Sequence, residues 1–565
     1  KANDPKSNMD DDLRELLKGI HHHELGLHWD EPVPEELWPK VGEYCCDDVL
    51  ATEAAFYYLS ADWTAREILA DLADMSPNTK TNTLTTKIIF GGNKNPQYSF
   101  CYRDMSKPVH EGDPVYTPEV IEFLREVCPE MMSEPHGPDK SLLPYFPGYE
   151  FNFGVSTYRG DTAGEGGYVY SEPGMYGNVA LLDVASMHPH SVIAECLFGV
   201  KYTKAFRDIV EGRVSIKHEA WDEVNHILDG KLTKHIERVK NGEISSKDLA
   251  NGLKTAINSV YGLTSARFTN AFKDSRNKDN IVAKRGALFM IDLKNAVQER
   301  GFIVAHIKTD SIKIPDATPE IIQFVMDFGK RYGYTFEHEA TYDRMCLVNK
   351  AVYIAKYKDA GACQEMYGYV PGDNKKKGGT WTPTGDQFAV PYVLKKLFTH
   401  EPIVMSDLCE TFAVAKGALY LDFNEQLPDV SETEKKLSKL TKEKQKAVSN
   451  GSTFEHDDEI QRLTDEIKAG HNFRFIGRVG QFTPVLPGKG GGILYRINEG
   501  KLYAAQGSDG YRWLESETAI NQSNTNAIDY SFYNTLVDNA IADISEYGDF
   551  EWFVSDDPYV DNTPF

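Results

Sequence analysis

The sequence predicts a multidomain α+β protein, and three features of the chain predict this class. Its 565 residues exceed what one hydrophobic core normally holds, so two to four domains or subdomains are expected. Apolar residues recur at three- and four-residue steps in several long segments, as in amphipathic helices. Short β-rich runs bounded by polar turns lie between these segments, as in antiparallel hairpins.

The helix predictions rest on apolar residues at helical spacing. Three segments show this periodicity: residues 10–75, 205–262 and 280–299. Gly242 is expected to join two helices within the second of them. Two further segments, 434–448 and 457–469, alternate Lys, Glu and Leu, which predicts an exposed helical pair.

The strand predictions rest on short β-rich runs that end at polar turns. We expect a strand, a turn, a second strand and the start of a helix over residues 163–195. A hairpin is expected in "FIVAHIKTDSIKIP" (302–315), and strands with glycine turns over 490–514. Residues 76–150 are rich in Pro, Gly, Asn and Lys, which predicts an irregular connecting region.

Charge and composition limit the possible function classes. A formal net charge of −24 weighs against a nucleic-acid partner, although a local basic cleft can still bind phosphates. No apolar run reaches the ~18 residues of a membrane-spanning helix. The polar N-terminus has no signal-peptide pattern, so we expect a cytoplasmic protein without a membrane partner. The eight cysteines follow no paired spacing, which predicts reduced thiols.

Two aspartates end strands that are otherwise apolar. In "LLDVASMHPHSVI" a buried-looking strand runs into Asp183, and in "HIKTDSIKI" Asp310 lies at the centre of the hairpin. Two carboxylates at adjoining strand ends repel each other unless a cation lies between them. Mg²⁺ is the common cation at phosphate chemistry. The alternative is structural, an N-cap for Asp183 and an ordinary turn acid for Asp310.

Cationic and amide side chains share one stripe of a predicted helix. Lys254, Asn258 and Tyr261 in "LKTAINSVYG" lie at i, i+4 and i+7. Arg213 and Lys217 lie four residues apart in an upstream helix. Guanidinium and ammonium groups that converge from two packed helices suit the oxygens of a triphosphate. The alternative is a solvated face with charges at helical spacing.

Together these segments resemble the polymerase half of family B DNA polymerases, especially those of tailed bacteriophages. "DVASMHP" is similar to the family's Asp-x-x-Ser-Leu-Tyr-Pro motif, and "KTAINSVYG" matches Lys-x-x-x-Asn-Ser-x-Tyr-Gly at every fixed position. "KTDS" is similar to Asp-Thr-Asp-Ser, and "RVSIK" resembles the Arg-x-x-x-Lys pair of the fingers. Order and spacing agree, and the resemblance covers residues 20–565.

The resemblance implies roles for individual residues. Asp183 and Asp310 would be the catalytic, metal-binding aspartates, and Val184 a further metal ligand. The site for the incoming nucleotide would comprise Arg213, Lys217, Lys254, Asn258, Tyr261, Ser186, Met187 and His188. DNA contacts would fall on Gly166 and Gly167 in "GEGGYVY" and on Lys350 and Tyr353 in "LVNKAVY". The accessory residues near the metals would be Glu339 and Lys308.

By the same resemblance, the chain is expected to be a template-directed DNA polymerase that extends a primer 3′ end in phage genome replication, within an infected bacterial cell. Two Mg²⁺ ions, replaceable by Mn²⁺, would be its cofactors. Its partners would be primer-template DNA, deoxynucleoside triphosphates, and a processivity factor or a separate exonuclease-bearing chain. Two alternatives stay open, a non-catalytic primer-template-binding scaffold for a separate exonuclease and a ribonucleotide-tolerant polymerase.

The resemblance also implies the domain organisation. It predicts a right-hand polymerase with a palm built on an antiparallel sheet, helical fingers and a mixed thumb, preceded by a helical remnant of an exonuclease domain. The expected segments are the exonuclease remnant (1–75), a connecting region (76–150), the palm (151–203 and 263–370), the fingers (204–262) and the thumb (371–565). The lysines of the 434–448 helix have matching glutamates, so we expect a solvated thumb projection there and not a DNA grip.

The sequence departs from the family pattern at several positions. His188 stands where the family has the tyrosine that screens the sugar 2′ position, and Lys308 replaces the first acid of Asp-Thr-Asp-Ser. "EYCCDDVL" resembles the third exonuclease motif, Tyr-x-x-x-Asp, at Tyr44 and Asp48, but the 43 residues before Tyr44 supply no Asp-x-Glu strand. We therefore expect an incomplete proofreading site and no nuclease activity from Tyr44 and Asp48.

Overall fold

Two compact units make up the chain. The computed structural model describes residues 32–424, 431–450, 452–454, 456–498, 501–522 and 525–559. The larger unit comprises Leu59–Asp386 and Asp543–Phe565, and the smaller unit comprises Lys1–Tyr58 and Gln387–Ala542. Residues 10–31 of the segment predicted to be helical lie outside the described residues.

Helices of very different lengths occur along the described part of the chain. The α-helices are α1 (Trp38–Tyr58), α2 (Ser60–Ala73), α3 (Thr81–Phe90), α4 (Pro118–Val127), α5 (Pro129–Ser133), α6 (Met187–Ala194), α7 (Val200–Lys217), α8 (Trp221–Val224), α9 (Thr233–Lys240), α10 (Ser246–Ser265), α11 (Ile281–Gln298), α12 (Pro319–Lys330), α13 (Ala360–Tyr367), α14 (Asn374–Lys377), α15 (Asp386–Ala389), α16 (Pro391–Leu394), α17 (Ser431–Ser449), α18 (Asp457–Ala469), α19 (Ser516–Gln522), α20 (Tyr530–Ser545) and α21 (Phe550–Val554). Short 3₁₀ segments occur at Glu35–Leu37, Pro96–Ser99, Ile227–Gly230, Met405–Leu408 and Thr525–Ala527, and a π turn at Lys395–Thr399.

The strands form four antiparallel sheets within the described residues. In the larger unit a small sheet contains β1 (Glu150–Asn152), β2 (Val155–Tyr158) and β3 (Asp161–Ala163). The main sheet contains β4 (Val169–Ser171), β5 (Gly174–Val184), β6 (His306–Lys308), β7 (Ser311–Ile314), β8 (Phe336–Asn349), β9 (Val352–Tyr357) and β10 (Trp381–Thr384). The smaller unit contains β11 (Glu410–Ala413), β12 (Ala418–Asp422), β13 (Phe473–Gly477), β14 (Val479–Val485), β15 (Ile493–Asn498), β16 (Lys501–Ala504) and β17 (Arg512–Glu515).

These elements confirm the predicted mixed α+β class, with some differences. The helix predicted over 280–299 is α11, the predicted helical pair is α17 and α18, and the strands predicted over 490–514 are β15 to β17. The region 76–150, predicted to be irregular, contains α3, α4 and α5. α4 begins with a Thr117 side chain that accepts a hydrogen bond from the Val120 amide, a local N-cap that composition alone does not reveal. Gly242 lies between α9 and α10, and residues 205–262 form more helices than the predicted two.

The main sheet places β5 at its centre. Its strand order is β10-β9-β8-β5-β7-β6-β4, and each neighbouring pair is antiparallel. Alternate residues of β5 face opposite sides, so Ala180, Leu182 and Val184 belong to the main core. Val179 and Leu181 belong to a second cluster with residues of β8 and β9. Because both faces are covered, β5 is apolar at nearly every position, and Asp183 stands out at its end.

A β-bulge changes the pairing of β5 with β8 close to that end. Leu181 is opposite Ala340 and Leu182 is opposite His338, so Glu339 is the extra residue of the bulge. A bulge redirects the side chain that it carries and increases the local twist. The next pair is Asp183 with Glu337. The bulge therefore brings acidic residues of β8 to the same end of the sheet as Asp183.

Helices α7 and α10 pack together, and α10 also packs against α2 and α3. Their contact faces are apolar, with Leu249, Leu253 and Val260 buried on α10. A Cβ at Gly252 would come within 3.2 Å of the Ala65 carbonyl oxygen, so the glycine permits the close approach of α10 to α2. Since the buried face of α10 is apolar, its polar residues lie on the remaining surface.

A fully buried ion cluster holds the end of α6 in the larger unit. The Glu195 carboxylate accepts hydrogen bonds from Arg103 Nε and Arg285 Nε, each at 2.6 Å. The Tyr116 hydroxyl donates a further bond to the same carboxylate at 3.3 Å. Burial raises the pKa of the Glu195 carboxyl, but the two guanidinium groups outweigh it and lower that pKa. The cluster thus depends on the negative charge of Glu195.

We predict that Glu195→Gln destabilises the protein by about 3–5 kcal/mol, because it leaves two buried guanidinium groups without their counter-charge. The free energy of unfolding in guanidinium chloride measures the effect. Glu126→Gln is the matched control, since Glu126 is 64% exposed in its ion pair with Arg207, and surface pairs contribute about 0–1 kcal/mol. Equal losses in the two variants would contradict the prediction.

Candidate active site

Asp310 lies in a two-residue turn between β6 and β7. Lys308 is opposite Ser311, so Thr309 and Asp310 form the turn, and Thr309 adopts a positive φ of 60°. The Thr309 amide donates to the Tyr168 carbonyl at 2.9 Å, and a Cβ at Gly167 would come within 2.9 Å of the Thr309 side chain. Gly167 therefore lies against this turn, and any larger residue at position 167 would displace the turn.

Asp183 and Asp310 lie at the same end of the main sheet. Asp183 on β5 is directly opposite Ser311 on β7, and the Val184 amide donates a hydrogen bond to the Asp310 carbonyl at 2.9 Å. The backbone of Val184 thus joins the two segments that carry the acids. The structure brings together two carboxylates that are 127 positions apart in the sequence.

The two carboxylates repel each other. Burial, followed by the charges of Asp310 and Glu339, raises the pKa of Asp183 to about 7. Burial also raises the pKa of Asp310, while His188 and Lys313 oppose that increase. The direction of both shifts means that ionising the pair is unfavourable in the protein alone. A site of this kind gains stability when it binds a cation.

Further acids surround the pair. Glu337 is opposite Asp183, and the Asp373 amide donates to the Glu339 carbonyl at 2.6 Å. Burial and the nearby charges of Asp373 and Glu337 raise the pKa of Glu339. Glu339, predicted as an accessory acid, is therefore within electrostatic reach of Asp183 and Asp310. Glu337 was absent from the prediction, although its position two residues before Glu339 on a strand indicates the same face.

Lys313 is a buried cation beside these acids, and sequence reasoning missed it. It lies on β7 between Ile312 and Ile314 and is 3% exposed. Burial and the charge of Lys308 lower the pKa of Lys313 to about 8, while Asp183, Glu339 and Asp310 oppose that decrease. A lysine in a short, otherwise apolar strand was the available signal, because a buried lysine needs a compensating partner.

Lys313 connects the acids to two residues that were predicted to contact DNA. Its Nζ lies 3.3 Å from His306 Nδ1 and 5.0 Å from the centre of the Tyr353 ring. His306 Nε2 is 3.1 Å from the Lys350 carbonyl oxygen. The Lys350 side chain is exposed, and Tyr353 is partly buried.

His188 stacks on Tyr261. Their ring centres are 4.2 Å apart and the rings are nearly parallel, at 11°. Ser186 precedes α6 with a positive φ of 57°. Met187 is buried against Gly286, and a Cβ added to Gly286 would come within 2.5 Å of the Met187 sulfur. Burial lowers the pKa of His188 while the Asp310 charge raises it. The stack therefore joins α6 to α10 and lies within electrostatic reach of Asp310.

Three of the predicted phosphate-binding cations are close enough for two of them to lower the pKa of the third. The charge of Arg213, then burial and the charge of Lys254, lower the pKa of Lys217, whereas Glu337 raises it. Burial lowers the pKa of Arg213, and its Nε is buried without a hydrogen-bond partner among the described residues. Lys254 and Asn258 are exposed on α10. These groups form a cationic surface within electrostatic reach of the acidic end of the sheet.

Four further predicted residues complete the set. Gly166 and Lys308 are exposed, and Lys308 is the first residue before the turn that carries Asp310. Tyr44 and Asp48 lie one helical turn apart on α1 in the smaller unit, where Asp48 is exposed. Their proposed origin in an exonuclease stays a prediction.

The donor set fits a hard divalent cation. The acids supply carboxylate oxygens, and Mg²⁺ sites at phosphate chemistry commonly use one or two carboxylates, with substrate phosphates and water completing the octahedron. Over the described residues, no group of three or more His, Cys, Asp and Glu side chains is arranged as a metal site by itself. Asp183 and Asp310 together are consistent with the two-carboxylate arrangement.

Comparisons with known proteins give distant structural likenesses but no match in sequence. No family model matches the chain, and no curated protein matches it. The fold is similar to that of a family B DNA polymerase from the hyperthermophilic archaeon Pyrobaculum calidifontis, with a TM-score of 0.35 and 12% identity, over 92% of this chain and 57% of that chain. The chain thus spans little more than half the length of that neighbour. None of the helices in the described part of the chain has the length and apolarity that crossing a membrane requires.

We predict that Asp183→Asn removes much of a pH-dependent loss of stability in metal-free protein. The pKa of Asp183 is about 7 in the folded protein and 3.8 in the unfolded chain. As the pH rises, the carboxyl therefore loses its proton in the unfolded chain before it does so in the folded protein. The contribution of the Asp183 carboxyl to the free energy of unfolding therefore falls as the pH rises towards 7 and then levels off. The decrease in the free energy of unfolding between pH 5 and pH 8 should shrink by about 2–3 kcal/mol in the variant.

Urea unfolding in the presence of a chelator measures this difference. Glu365→Gln is the control, because Glu365 is an exposed acid on α13, and it should follow the wild-type pH dependence. Parallel curves for wild type and Asp183→Asn would show that the pKa of Asp183 is not raised and would contradict the prediction.

Proposed function

We propose that this chain is a template-directed DNA polymerase that adds deoxynucleotides to a primer 3′ end. One observation carries the proposal: Asp183 and Asp310 lie together at one end of the main sheet, and the cation Lys217 lies within electrostatic reach of Glu337 at that end. The sequence motifs around these residues support the same reaction. Nucleotidyl transfer needs positioned carboxylates for divalent ions and positive groups for a triphosphate.

The cationic surface would bind the incoming triphosphate. Arg213 offers a buried, unpartnered Nε–H to an oxygen, and Lys217 and Lys254 add two ammonium groups that repel each other until an anion lies between them. Binding a polyanion removes this repulsion. The cations would also stabilise the charge that develops on the leaving pyrophosphate, and Asn258 on the same stripe would donate a hydrogen bond.

The His188–Tyr261 stack would form the surface next to the sugar and the nascent base pair. Two flat rings at 4.2 Å provide a rigid apolar wall, and such a wall can distinguish correct from incorrect geometry. Ser186 and Met187 would shape the start of this wall. Because Tyr261 lies on the same helix as Lys254, motion of α10 would bring the wall and the cation to the substrate together.

Asp183 and Asp310, with the Val184 backbone, would hold the two Mg²⁺ ions, for which Mn²⁺ can substitute. When bound, such ions lower the pKa of the primer hydroxyl and stabilise the leaving pyrophosphate. Lys313 would limit the repulsion among the acids and keep them in register. Glu339 would add negative charge to the same site, and Lys308 would offset part of it.

The remaining parts of the proposal follow from the sequence resemblance. They are a palm at 151–203 and 263–370, fingers at 204–262 and a thumb at 371–565. Gly166, Gly167, Lys350 and Tyr353 would contact the primer-template. Replication of a phage genome, a processivity factor and a separate exonuclease-bearing chain also belong to this proposal.

The experiment that tests the proposal is primer extension by the purified chain with Mg²⁺ and four deoxynucleotides. Asp310→Ala should reduce the rate by more than about 10³-fold, because the loss exceeds that of one hydrogen-bond donor at a developing charge. Glu365→Ala, at an exposed position, is the control and should extend normally. DNA binding by Asp310→Ala should persist. If the wild type extends no better than Asp310→Ala yet binds primer-template, the chain is a non-catalytic scaffold.

The His188–Tyr261 stack favours a second candidate function, a ribonucleotide-tolerant polymerase. An imidazole lacks the hydroxyl end of a tyrosine, so it leaves more space beside the sugar 2′ position. We predict that His188→Tyr increases the preference for deoxynucleotides over ribonucleotides by about 10-fold or more. The ratio of kcat/KM values for matched nucleotides measures this preference.

His218→Tyr provides the control for this comparison, because His218 is exposed at the end of α7. It should leave the ratio unchanged. Equal wild-type rates with both sugars would establish ribonucleotide tolerance. A His188→Tyr ratio equal to that of wild type would show that His188 is not near the sugar.

A further inference from the structure

One face of α17 carries only lysines, in a chain whose net charge is −24. The face follows four-, three- and four-residue steps, which keep its members within about 60° of the helix circumference. All of its members are exposed, and the nearest acidic residues, Glu432 and Glu443, lie about 20° and 40° outside this arc. The residues of this lysine face are Lys435, Lys439, Lys442 and Lys446.

The structure separates these lysines from the others on the same helix. Lys436 Nζ lies 2.6 Å from Glu459 Oε1, and Lys444 Nζ lies 2.7 Å from Asp457 Oδ1, so both pair with acids of α18. Leu440 is 9% exposed on the side that packs against α18. At 3.6 residues per turn, the lysine face lies on the opposite side of α17 from Leu440 and Lys444. The predicted pairing of α17 lysines with acidic residues therefore applies to Lys436 and Lys444, which contact α18, and not to the lysine face.

The lysine face is nearly unpaired. Lys435 Nζ lies 3.1 Å from Glu432 Oε1, but both side chains are strongly exposed, at 74% and 89%, so the pair is weak. Lys439, Lys442 and Lys446 have no side-chain partner among the described residues. Like charges three and four residues apart on a helix repel each other. An extended polyanion would remove this repulsion, whereas single counter-ions screen it only in part.

We propose that the lysine face of α17 binds the phosphate backbone of duplex DNA. From Lys435 to Lys446 it covers eleven steps of about 1.5 Å, or about 16 Å, which corresponds to about five base-pair steps along a duplex. Ammonium groups bind phosphates as point charges without a required geometry, so the contact is independent of base sequence. The choice of duplex DNA as ligand rests on the proposed function, because a chain that extends primers must hold the duplex that it makes.

The test is the salt dependence of primer-template binding, measured by fluorescence anisotropy in the presence of a chelator so that no extension occurs. A quadruple Lys→Gln variant of the lysine face should lower the slope of log K against log salt by about 3–4 units, at about 0.9 per lost phosphate contact. A quadruple Lys→Arg variant, which keeps the charge, should retain the wild-type slope. A decrease of two units or more supports the proposal, and a smaller decrease overturns it.

The control variant carries Lys→Gln at four scattered, exposed positions, Lys94, Lys107, Lys140 and Lys330. This control changes the net charge by the same amount as the quadruple Lys→Gln variant of the lysine face. The proposal requires that the lysine-face variant lower the slope by at least two units more than the control does. Circular dichroism checks that α17 is intact, since Gln and Lys have similar helix propensities. Loss of binding to poly-glutamate with an unchanged DNA slope would instead indicate an acidic protein partner and would overturn the proposal.

Primer extension separates this inference from the proposed function. If the wild type does not extend primers but the lysine face determines the salt slope, the proposed function fails and the phosphate-binding face stands. If the wild type extends primers and the slope is unaffected by the quadruple Lys→Gln change, only the inference about α17 fails.

Discussion

The pairing of β5 with β7 is the constraint on which the candidate site depends. It sets Asp183 opposite Ser311 and joins the Val184 amide to the Asp310 carbonyl. A shift of one residue in this pairing would turn Asp183 to the opposite face, because side chains alternate along a strand. Apolar residues on both faces of β5 prevent such a shift, since it would exchange two separate clusters.

At this end of the sheet, backbone hydrogen bonds hold carboxylates of like charge close together. Asp183 and Asp310 are held near each other by backbone hydrogen bonds, and Glu339 is directed towards them by the bulge in β8. The buried Lys313 supplies one positive charge among them. Raised pKa values of clustered carboxylates mark sites where burial and like charges act together, and such sites are often functional. The remaining unbalanced charge is what a divalent cation would neutralise.

The cationic side of the site depends on different physics. α7 and α10 pack through apolar residues, so their polar residues lie on the remaining surface. Arg213 and Lys217 on α7 approach Lys254 on α10 only because these two helices are neighbours. On α17 the same principle separates two sets of lysines, one paired with α18 and one facing outward. In both places the apolar face of a helix decides which charges remain free.

The sequence by itself determined the mixed α+β class, the long helices and the two aspartates at strand ends, because periodicity and strand-end polarity are local properties of the chain. It also indicated the spacing of Lys254, Asn258 and Tyr261, which one helix sets. Only the tertiary structure decided that Glu337 and Lys313 join the predicted Glu339 beside the aspartates, and that His188 stacks on Tyr261. It also decided that three of the six α17 lysines have no acidic partner among the described residues. These features depend on register, a bulge and helix packing, which join residues far apart in the chain, so a local sequence pattern can point to single residues but not to their partners.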